Sequence, residues 1–157
     1  MAEEADSVRL TGGCQCGAVR YALSVKPRGA APCHCRMCQK AGGAPFMVFA
    51  GVPTKYLSYT RGEPTIFQSS EIAERGFCQK CGTPLTYRLK ASERISVTVG
   101  SLDDPEAVTP NEQHGVEAAL SWTATLHTLP TRSTQAFLDA AKIKDVGNHQ
   151  HPDHDTD

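Results

Sequence analysis

Short stretches in which apolar and polar residues alternate dominate the chain between residues 8 and 99. Because successive side chains of a β-strand point to opposite faces of a sheet, this alternation predicts strands rather than helices. Eight strands are predicted, at residues 8–10, 18–24, 46–49, 55–59, 65–68, 72–77, 85–89 and 95–99, and turns with Gly or Pro separate them. The pattern therefore predicts a mainly β fold.

Helical periodicity is confined to two places. Residues 36–42 are predicted to form a single helical turn, and residues 131–143 a short C-terminal helix. The apolar side chains of this helix, such as Phe137, are expected to face the body of the domain. Residues 145–157 show no periodicity and are rich in His and Asp, so they are predicted to be disordered.

Length and composition place these elements in one domain. The chain has 157 residues, of which 39% are hydrophobic, enough for a single core. We divide it into a flexible N-terminus at 1–7, a folded domain at 8–144 and the tail at 145–157. The longest apolar run, residues 44–52, is far shorter than the roughly 20 residues that a bilayer requires. The acidic start lacks a secretory signal, so we expect a cytoplasmic protein with reduced thiols.

Charge is distributed unevenly along the chain. All 16 Lys and Arg residues lie in the domain, whereas seven of the 17 acidic residues lie in the two terminal segments. The basic excess of the domain favours small anions as ligands but is too modest to indicate nucleic-acid binding. We expect neither nucleic acid nor a membrane as partner, and the sequence indicates no oligomeric state.

Seven cysteines, all before residue 82, form three tight groups. The groups are Cys14 with Cys16, then Cys33, Cys35 and Cys38, then Cys78 with Cys81. An odd number of clustered cysteines in a reducing compartment argues against disulfides and indicates metal ligands. Zinc is the metal that this donor set favours.

The first and last cysteine groups are each spaced to bind one ion. Residues i and i+2 of an extended segment point to the same side, and Cys-x-x-Cys-Gly presents two sulfurs from a tight turn. We therefore pair Cys14 and Cys16 with Cys78 and Cys81 in a closed, structural zinc site. The alternative is that the two pairs bind different metals or none.

The middle group supplies three sulfurs within six residues. Three protein ligands leave the fourth tetrahedral position of a zinc ion to water or substrate, which is typical of a reactive site. Cys33, Cys35 and Cys38 are therefore the candidate catalytic ligands. Two alternatives stay open: a fourth protein ligand, such as His34, His114 or a tail histidine, or a redox pair of Cys35 and Cys38.

The sequence around these cysteines resembles the glutathione-dependent formaldehyde-activating enzyme family, also called the CENP-V/GFA domain. The motifs that carry the resemblance are GGCQCGAVRY at 12–21, CHCRMC at 33–38, RGFCQKCGT at 75–83 and VGSLDDP at 99–105. The resemblance covers roughly residues 8–130. It implies an Mss4-like fold of coiled antiparallel β-sheets built around two zinc ions per chain, with the ligands grouped as above.

The resemblance also implies an activity. It indicates a carbon–sulfur lyase-type enzyme acting on a small thiol such as glutathione and an aldehyde or S-adduct, as in S-(hydroxymethyl)glutathione formation or cleavage. A thiolate-rich zinc suits a soft sulfur substrate better than simple hydrolysis. Two further residues are candidate catalytic groups: Arg75 for charge stabilisation and His114 for proton transfer. The alternative is a non-catalytic zinc-binding module that mediates protein interaction.

Overall fold

Antiparallel β-strands form most of the fold, for which a computed structural model describes residues 8–156. The strands are β1 (Leu10–Gly13), β2 (Arg20–Leu23), β3 (Ala31–Cys33), β4 (Met47–Pro53), β5 (Leu57–Arg61), β6 (Thr65–Gln68), β7 (Ala73–Phe77), β8 (Pro84–Leu89) and β9 (Arg94–Thr98). The α-helices are α1 (Arg36–Gly42) and α2 (Thr134–Ala141), and 3₁₀ turns lie at Thr54–Tyr56, Val99–Ser101, Pro105–Ala107, Val116–Ala118 and Ser121–Thr128. The predicted mainly β fold with a short C-terminal helix is confirmed.

The strands form two sheets in which every neighbouring pair is antiparallel. The smaller sheet has the order β1-β2-β5, and the larger has the order β3-β4-β9-β8-β7-β6. Two isolated parallel bridges, Ala30 with Pro110 and Cys33 with His114, tie the segment after β9 to the region of β3. These bridges bring His114 beside Cys33, far from it in sequence.

One hydrophobic cluster joins the two sheets. Its most deeply buried large side chains come from both of them: Tyr21, Leu23, Val52, Leu85 and Val97. Burying a side chain of this size stabilises the fold by about 1.5–3 kcal/mol. Cys14 and Cys78 belong to the same cluster. One group of cysteines is therefore continuous with the core.

Close packing of β1 explains why its position differs from the prediction. A Cβ atom at Gly12 would lie 2.5 Å from the carbonyl oxygen of Ser101 and 2.6 Å from the hydroxyl of Tyr21. The Ser101 hydroxyl donates to the carbonyl of Thr98, so the Tyr21 hydroxyl donates to Ser101, at 2.8 Å. The strand predicted at 8–10 is shifted to include glycines, because only glycine lets the backbones approach this closely.

Two other elements also differ from the sequence-based prediction. β3 was missed because its three residues include Pro32, which a sheet tolerates at an edge such as this one. α2 is shorter than predicted and begins after Ser133, whose hydroxyl accepts a hydrogen bond from the Ala136 N–H. The expectation that its apolar face packs on the body is wrong, since α2 lies at the periphery and Phe137 is 54% exposed.

The two ends of the chain behave differently from the domain. The N-terminus predicted to be flexible, 1–7, lies outside the described residues. Residues 145–150 have neither helix nor strand, whereas residues 151–156 contact the domain through polar groups. Neither helix of residues 8–156 is long and apolar enough to cross a membrane.

A buried ion pair anchors the turn that follows β9. Both terminal nitrogens of Arg20 donate to the carboxylate of Asp103, and the Thr11 hydroxyl donates to the same carboxylate. The two charged side chains are only 4% and 12% exposed. Burial opposes ionisation of Asp103, but the hydrogen bonds from Arg20 and Thr11 outweigh it and lower the pKa of the carboxyl.

We expect Asp103→Asn to lower the free energy of unfolding by about 3 kcal/mol at neutral pH, because it leaves the buried Arg20 with only the partly exposed Asp155 as charge partner. A lowered pKa means that the carboxylate stabilises the fold above the ordinary Asp pKa and stops doing so as the pH falls through the lowered value. Chemical denaturation of both proteins measures the loss. Asp104→Asn, at an exposed position, is the matched control, and its free energy of unfolding should stay within about 0.5 kcal/mol of wild type. Equal losses in the two variants would contradict the stabilising role of the Asp103–Arg20 ion pair.

Candidate metal centres

Four sulfurs from two turns meet at one point. Cys14 and Cys16 lie between β1 and β2, and Cys78 and Cys81 lie between β7 and β8. All four Sγ atoms lie within 4.8 Å of one another, with 3.6 Å between Cys14 and Cys16 and 3.8 Å between Cys16 and Cys78. A tetrahedral zinc with bonds of about 2.3 Å places its sulfurs about 3.8 Å apart. The group therefore fits one tetrahedral metal ion.

The same backbone turn presents each pair of sulfurs. Gly17 donates its N–H to the carbonyl of Cys14, and Gly82 donates its N–H to the carbonyl of Cys78. Both glycines have a left-handed φ, +75° and +79°, which residues with a side chain adopt at a cost. The N–H of Val19 also donates to the sulfur of Cys14, at 3.2 Å. Glycine after each second cysteine therefore allows the turn that holds the ligands.

The thiols of this group differ in acidity, and ionisation of all four together is opposed without a cation. Burial raises the pKa of the Cys14 thiol to about 12. Burial also opposes ionisation of Cys81, but the hydroxyl and N–H of Thr83 lower the pKa of that thiol to about 6. Four thiolates this close repel one another and ionise together only when a positive ion compensates them.

A second group of sulfurs lies at the start of α1. Cys33 ends β3, Cys35 caps α1 with its sulfur accepting from the Cys38 N–H, and Cys38 is buried in the helix. The three Sγ atoms lie within 4.8 Å of one another, and those of Cys33 and Cys35 are 3.5 Å apart. Within residues 8–156, no His, Cys, Asp or Glu joins this trio as a fourth ligand. The trio can hold a metal ion whose last position is left to another molecule.

The thiols of the trio differ in acidity. Burial raises the pKa of Cys33 to about 12. Burial also opposes ionisation of Cys35, but the N–H groups of Cys38 and Met37 and the neighbouring thiols lower its pKa overall. A helix start that donates to the Cys35 sulfur therefore favours a thiolate at this position.

Arg75 of β7 lies directly against the trio. Its Nη2 donates to the Sγ of Cys38 at 3.3 Å, and its Nε donates to the Ser69 hydroxyl at 3.0 Å. The guanidinium also lies over the ring of Tyr87, 5.0 Å from its centre, and the residue is only 8% exposed. These contacts hold Arg75 as a fixed positive charge beside the sulfur of Cys38.

The two histidines near the trio have different surroundings. His34 is buried, with its ring 5.1 Å from that of Phe46 and its Nε2 3.0 Å from Oε1 of Gln113. The backbone of His114 exchanges hydrogen bonds with Pro32 and His34, while its side chain is 57% exposed and its Nε2 lies 3.4 Å from the Glu112 carboxylate. His114 therefore stays free to contact a small molecule, and His34 does not.

A cavity of about 600 Å³ opens onto the trio. The residues of its lining that matter most for chemistry are Cys33, Cys35, Arg75, Tyr87, Arg94 and His114. Phe49 and Tyr87, whose ring centres are 5.8 Å apart, form an apolar wall. The volume is in the range of small-molecule sites. Both candidate catalytic side chains, Arg75 and His114, therefore share one cavity with the sulfurs.

The sequence profile of the glutathione-dependent formaldehyde-activating enzyme family matches residues 9–117. The chain belongs to this family. An uncharacterized lyase of Schizosaccharomyces pombe (strain 972 / ATCC 24843) is 32% identical over 76 residues, which are 48% of this chain and 55% of the relative. The chain thus spans only about half the length of that curated relative.

A crystal structure of a Rhodobacter sphaeroides protein supports the fold of this family member. The two structures superpose with a TM-score of 0.54 at 23% identity, over 66% of this chain and 98% of the other. At this identity the likeness shows the fold alone.

Sequence reasoning missed Tyr87 and Arg94 as residues of the cavity. Tyr87 faces Arg75 across the β7–β8 ladder, but the register shifts by one residue between Gly76 and Phe77. Counting outward from the turn would have paired Arg75 with Thr86, so the sequence alone does not place Tyr87. Arg94 reaches the cavity only through the crossing of β9 beside β4, for which the sequence carries no local signal.

We expect each cysteine group to hold one metal ion, so Cys81→Ser and Cys35→Ser should each remove about one of two ions per chain. Cys81→Ser should also lower the free energy of unfolding by several kcal/mol, because its group is part of the core. Cys35→Ser should affect stability far less. Elemental analysis and chemical denaturation measure the two effects. A Cys35→Ser protein that keeps both ions would show that the trio holds no metal.

Proposed function

We propose that the chain is a zinc-dependent carbon–sulfur lyase-type enzyme that forms or cleaves the adduct of a small, glutathione-like thiol and an aldehyde. Membership of the family and the relative named as a lyase support a lyase-like role. The observation that carries the proposal is the trio of Cys33, Cys35 and Cys38, which opens onto a cavity and which no fourth side chain of residues 8–156 completes. A closed site would instead favour a binding module.

The proposed reaction needs neither oxidant nor reductant. The thiol sulfur bonds to the aldehyde carbon, the carbonyl π bond breaks, and the proton of the thiol ends on the carbonyl oxygen. Cleavage of the adduct is the reverse of these changes. When bound to the trio, zinc would supply a coordination position at which a thiol loses its proton readily.

We assign proton transfer between sulfur and oxygen to His114. Its imidazole lines the cavity, and its backbone hydrogen bond to Pro32 fixes the segment beside β3. The Glu112 carboxylate, 3.4 Å from Nε2, orients the ring. Arg75 is a positioning residue in this proposal, since its hydrogen bond to Cys38 balances the negative charge of the sulfurs rather than gripping substrate.

The charge of the cavity favours an anionic thiol. Three arginines, Arg28, Arg75 and Arg94, line it against one carboxylate, that of Glu112. Arg94 is held over β4 by a hydrogen bond from its Nη2 to the Gly51 carbonyl, at 2.9 Å. Glutathione carries carboxylates at both ends, away from its sulfur. We therefore propose glutathione or a similar thiol, and the cytoplasm as the compartment that supplies it in reduced form.

We expect the zinc-loaded protein to form and cleave S-(hydroxymethyl)glutathione and Cys35→Ser to lose this turnover while keeping its fold. The physical reason is that serine removes one ligand of the open site but none from the core group. NMR of ¹³C-formaldehyde with glutathione measures turnover above the spontaneous rate, and circular dichroism checks the fold. Turnover that survives the substitution undiminished would defeat the mechanism.

We expect Arg94→Gln to raise KM for glutathione about threefold to tenfold with little change in kcat, because a charge-assisted hydrogen bond to a carboxylate is lost. Arg88→Gln is the matched control, since Arg88 faces Glu74 and does not line the cavity. Steady-state kinetics of both variants measure the effect. A KM equally unchanged in both would show that Arg94 does not contact the thiol substrate.

A further inference from the structure

The end of the chain lies against the turn that carries the first two metal-binding cysteines. The N–H of His151 donates to the carbonyl of Gln15, between Cys14 and Cys16, at 2.7 Å. The imidazole of His151 covers Gly17, where an added Cβ would lie 2.3 Å from its Cδ2. A segment distant in sequence thus contacts the residues on both sides of Cys16, while Cys16 itself remains exposed with the segment in place.

Three arginines of the domain hold this segment. Asp155 accepts from Arg20 at 2.9 Å and from Arg9 at 2.8 Å, and Arg61 donates to the carbonyl and hydroxyl oxygens of Thr156. Arg20 holds the segment most firmly, because its side chain is only 4% exposed and its ion pair with Asp103 fixes its position. The bonds from Arg9 and Arg20 lower the pKa of Asp155, which shows that the arginines favour its charged form.

Hydrogen bonds within the segment also fix its conformation on this surface. Nδ1 of His151 lies 2.7 Å from the Pro152 carbonyl and therefore carries the proton, so Nε2 accepts from the Thr156 hydroxyl at 2.9 Å. His151 and Thr156 are thereby held together over the turn, with Asp155 turned toward the arginines. The acidic end of the chain and the basic face of the domain are complementary in charge and in hydrogen bonding.

We propose that Arg9, Arg20 and Arg61 form a docking site for residues 151–156 of the same chain, and that the docked segment holds the Cys14–Gly17 turn in its metal-binding conformation and so retains the metal of its group. We call residues 151–156 the strap. The family profile ends at residue 117, so the strap lies outside the matched domain. Tethering keeps its local concentration high, which lets a few partly exposed bonds hold it in place.

The strap acts on the metal group by restraining the turn that carries Cys14 and Cys16, not by ligation. One side of this turn packs in the core, where Cys14 is 3% exposed, and the other side faces solvent. On that second side the His151 ring packs on Gly17 and the His151 N–H donates to the Gln15 carbonyl. An undocked strap leaves the turn free to open and release the metal, so the rate of attack by a chelator or thiol reagent rises with the fraction of undocked molecules.

Thiol labelling of the metal-loaded protein, residues 1–157, tests the proposal. N-ethylmaleimide is added in excess, and peptide mass spectrometry follows modification of the Cys14–Cys16 peptide and, as internal reference, the peptide with Cys33, Cys35 and Cys38. The test variants are Asp155→Asn and a truncation after Gly147. Asp153→Asn is the matched control, since it removes the same charge from the same segment and has no ion pair within residues 8–156.

The expected result is faster labelling of the Cys14–Cys16 peptide, by about threefold in Asp155→Asn, the value of a partly exposed ion pair, and by more in the truncated protein. The reference peptide and the Asp153→Asn control should keep wild-type rates. Metal retained after exposure to a chelator should fall in the same order.

Equal labelling rates in wild type, Asp155→Asn and the truncated protein would overturn the proposal. So would an equal acceleration at the reference peptide, since that would report loosening of the whole fold. A wild-type rate that changes with protein concentration would show that the segment docks on a second copy of the chain instead. None of these outcomes depends on turnover, so the experiment tests the role of the strap independently of the proposed enzymatic activity.

Discussion

The meeting of four sulfurs from two distant turns is the constraint on which the fold depends. Cys14 and Cys16 lie in a turn of the three-stranded sheet, and Cys78 and Cys81 lie in a turn of the six-stranded sheet. A three-stranded sheet this short is marginal without further packing. Closing a chain loop of about sixty residues also costs conformational entropy. A metal ion bound by all four thiolates would offset that cost, and the hydrophobic cluster includes two of these cysteines, Cys14 and Cys78.

The two cysteine groups use the same donor atom but differ in what surrounds it. The first group has four sulfurs, carried by two glycine turns that pack on the core, so the protein can supply every ligand of a tetrahedral ion. The second group has a buried side, formed by Cys38 and Arg75, and an open side on the cavity. Coordination by three ligands beside an open cavity is what distinguishes a reactive centre from a structural one.

The spacing of the cysteines predicted which of them lie together. In Cys-x-Cys and Cys-x-x-Cys-Gly motifs, the direction of both sulfurs depends on backbone geometry within only a few residues. Strand alternation predicted most of the larger sheet for the same reason. The edge strand β3 was not predicted, because a strand of three residues that contains Pro32 shows no alternation of apolar and polar positions. The contact between Asp155 and Arg20 was not predicted, because it joins residues far apart in sequence. A polar segment without periodicity has the same sequence pattern whether it is free in solvent or held by long-range ion pairs.

The environment of Arg75 bears on the charge of the trio. Arg20, the other deeply buried arginine, is balanced by the carboxylates of Asp103 and Asp155. Among the residues that the structure describes, the partners of Arg75 are a hydroxyl, two sulfurs and an aromatic ring, with no carboxylate among them. A buried guanidinium keeps its charge and requires a nearby negative one. The sulfurs of the trio are the groups that can supply it, and Cys38 Sγ accepts directly from Arg75 Nη2 at 3.3 Å. Since thiolates this crowded need a cation to stay ionised together, the burial of Arg75 is itself an argument that the trio functions with a metal ion bound.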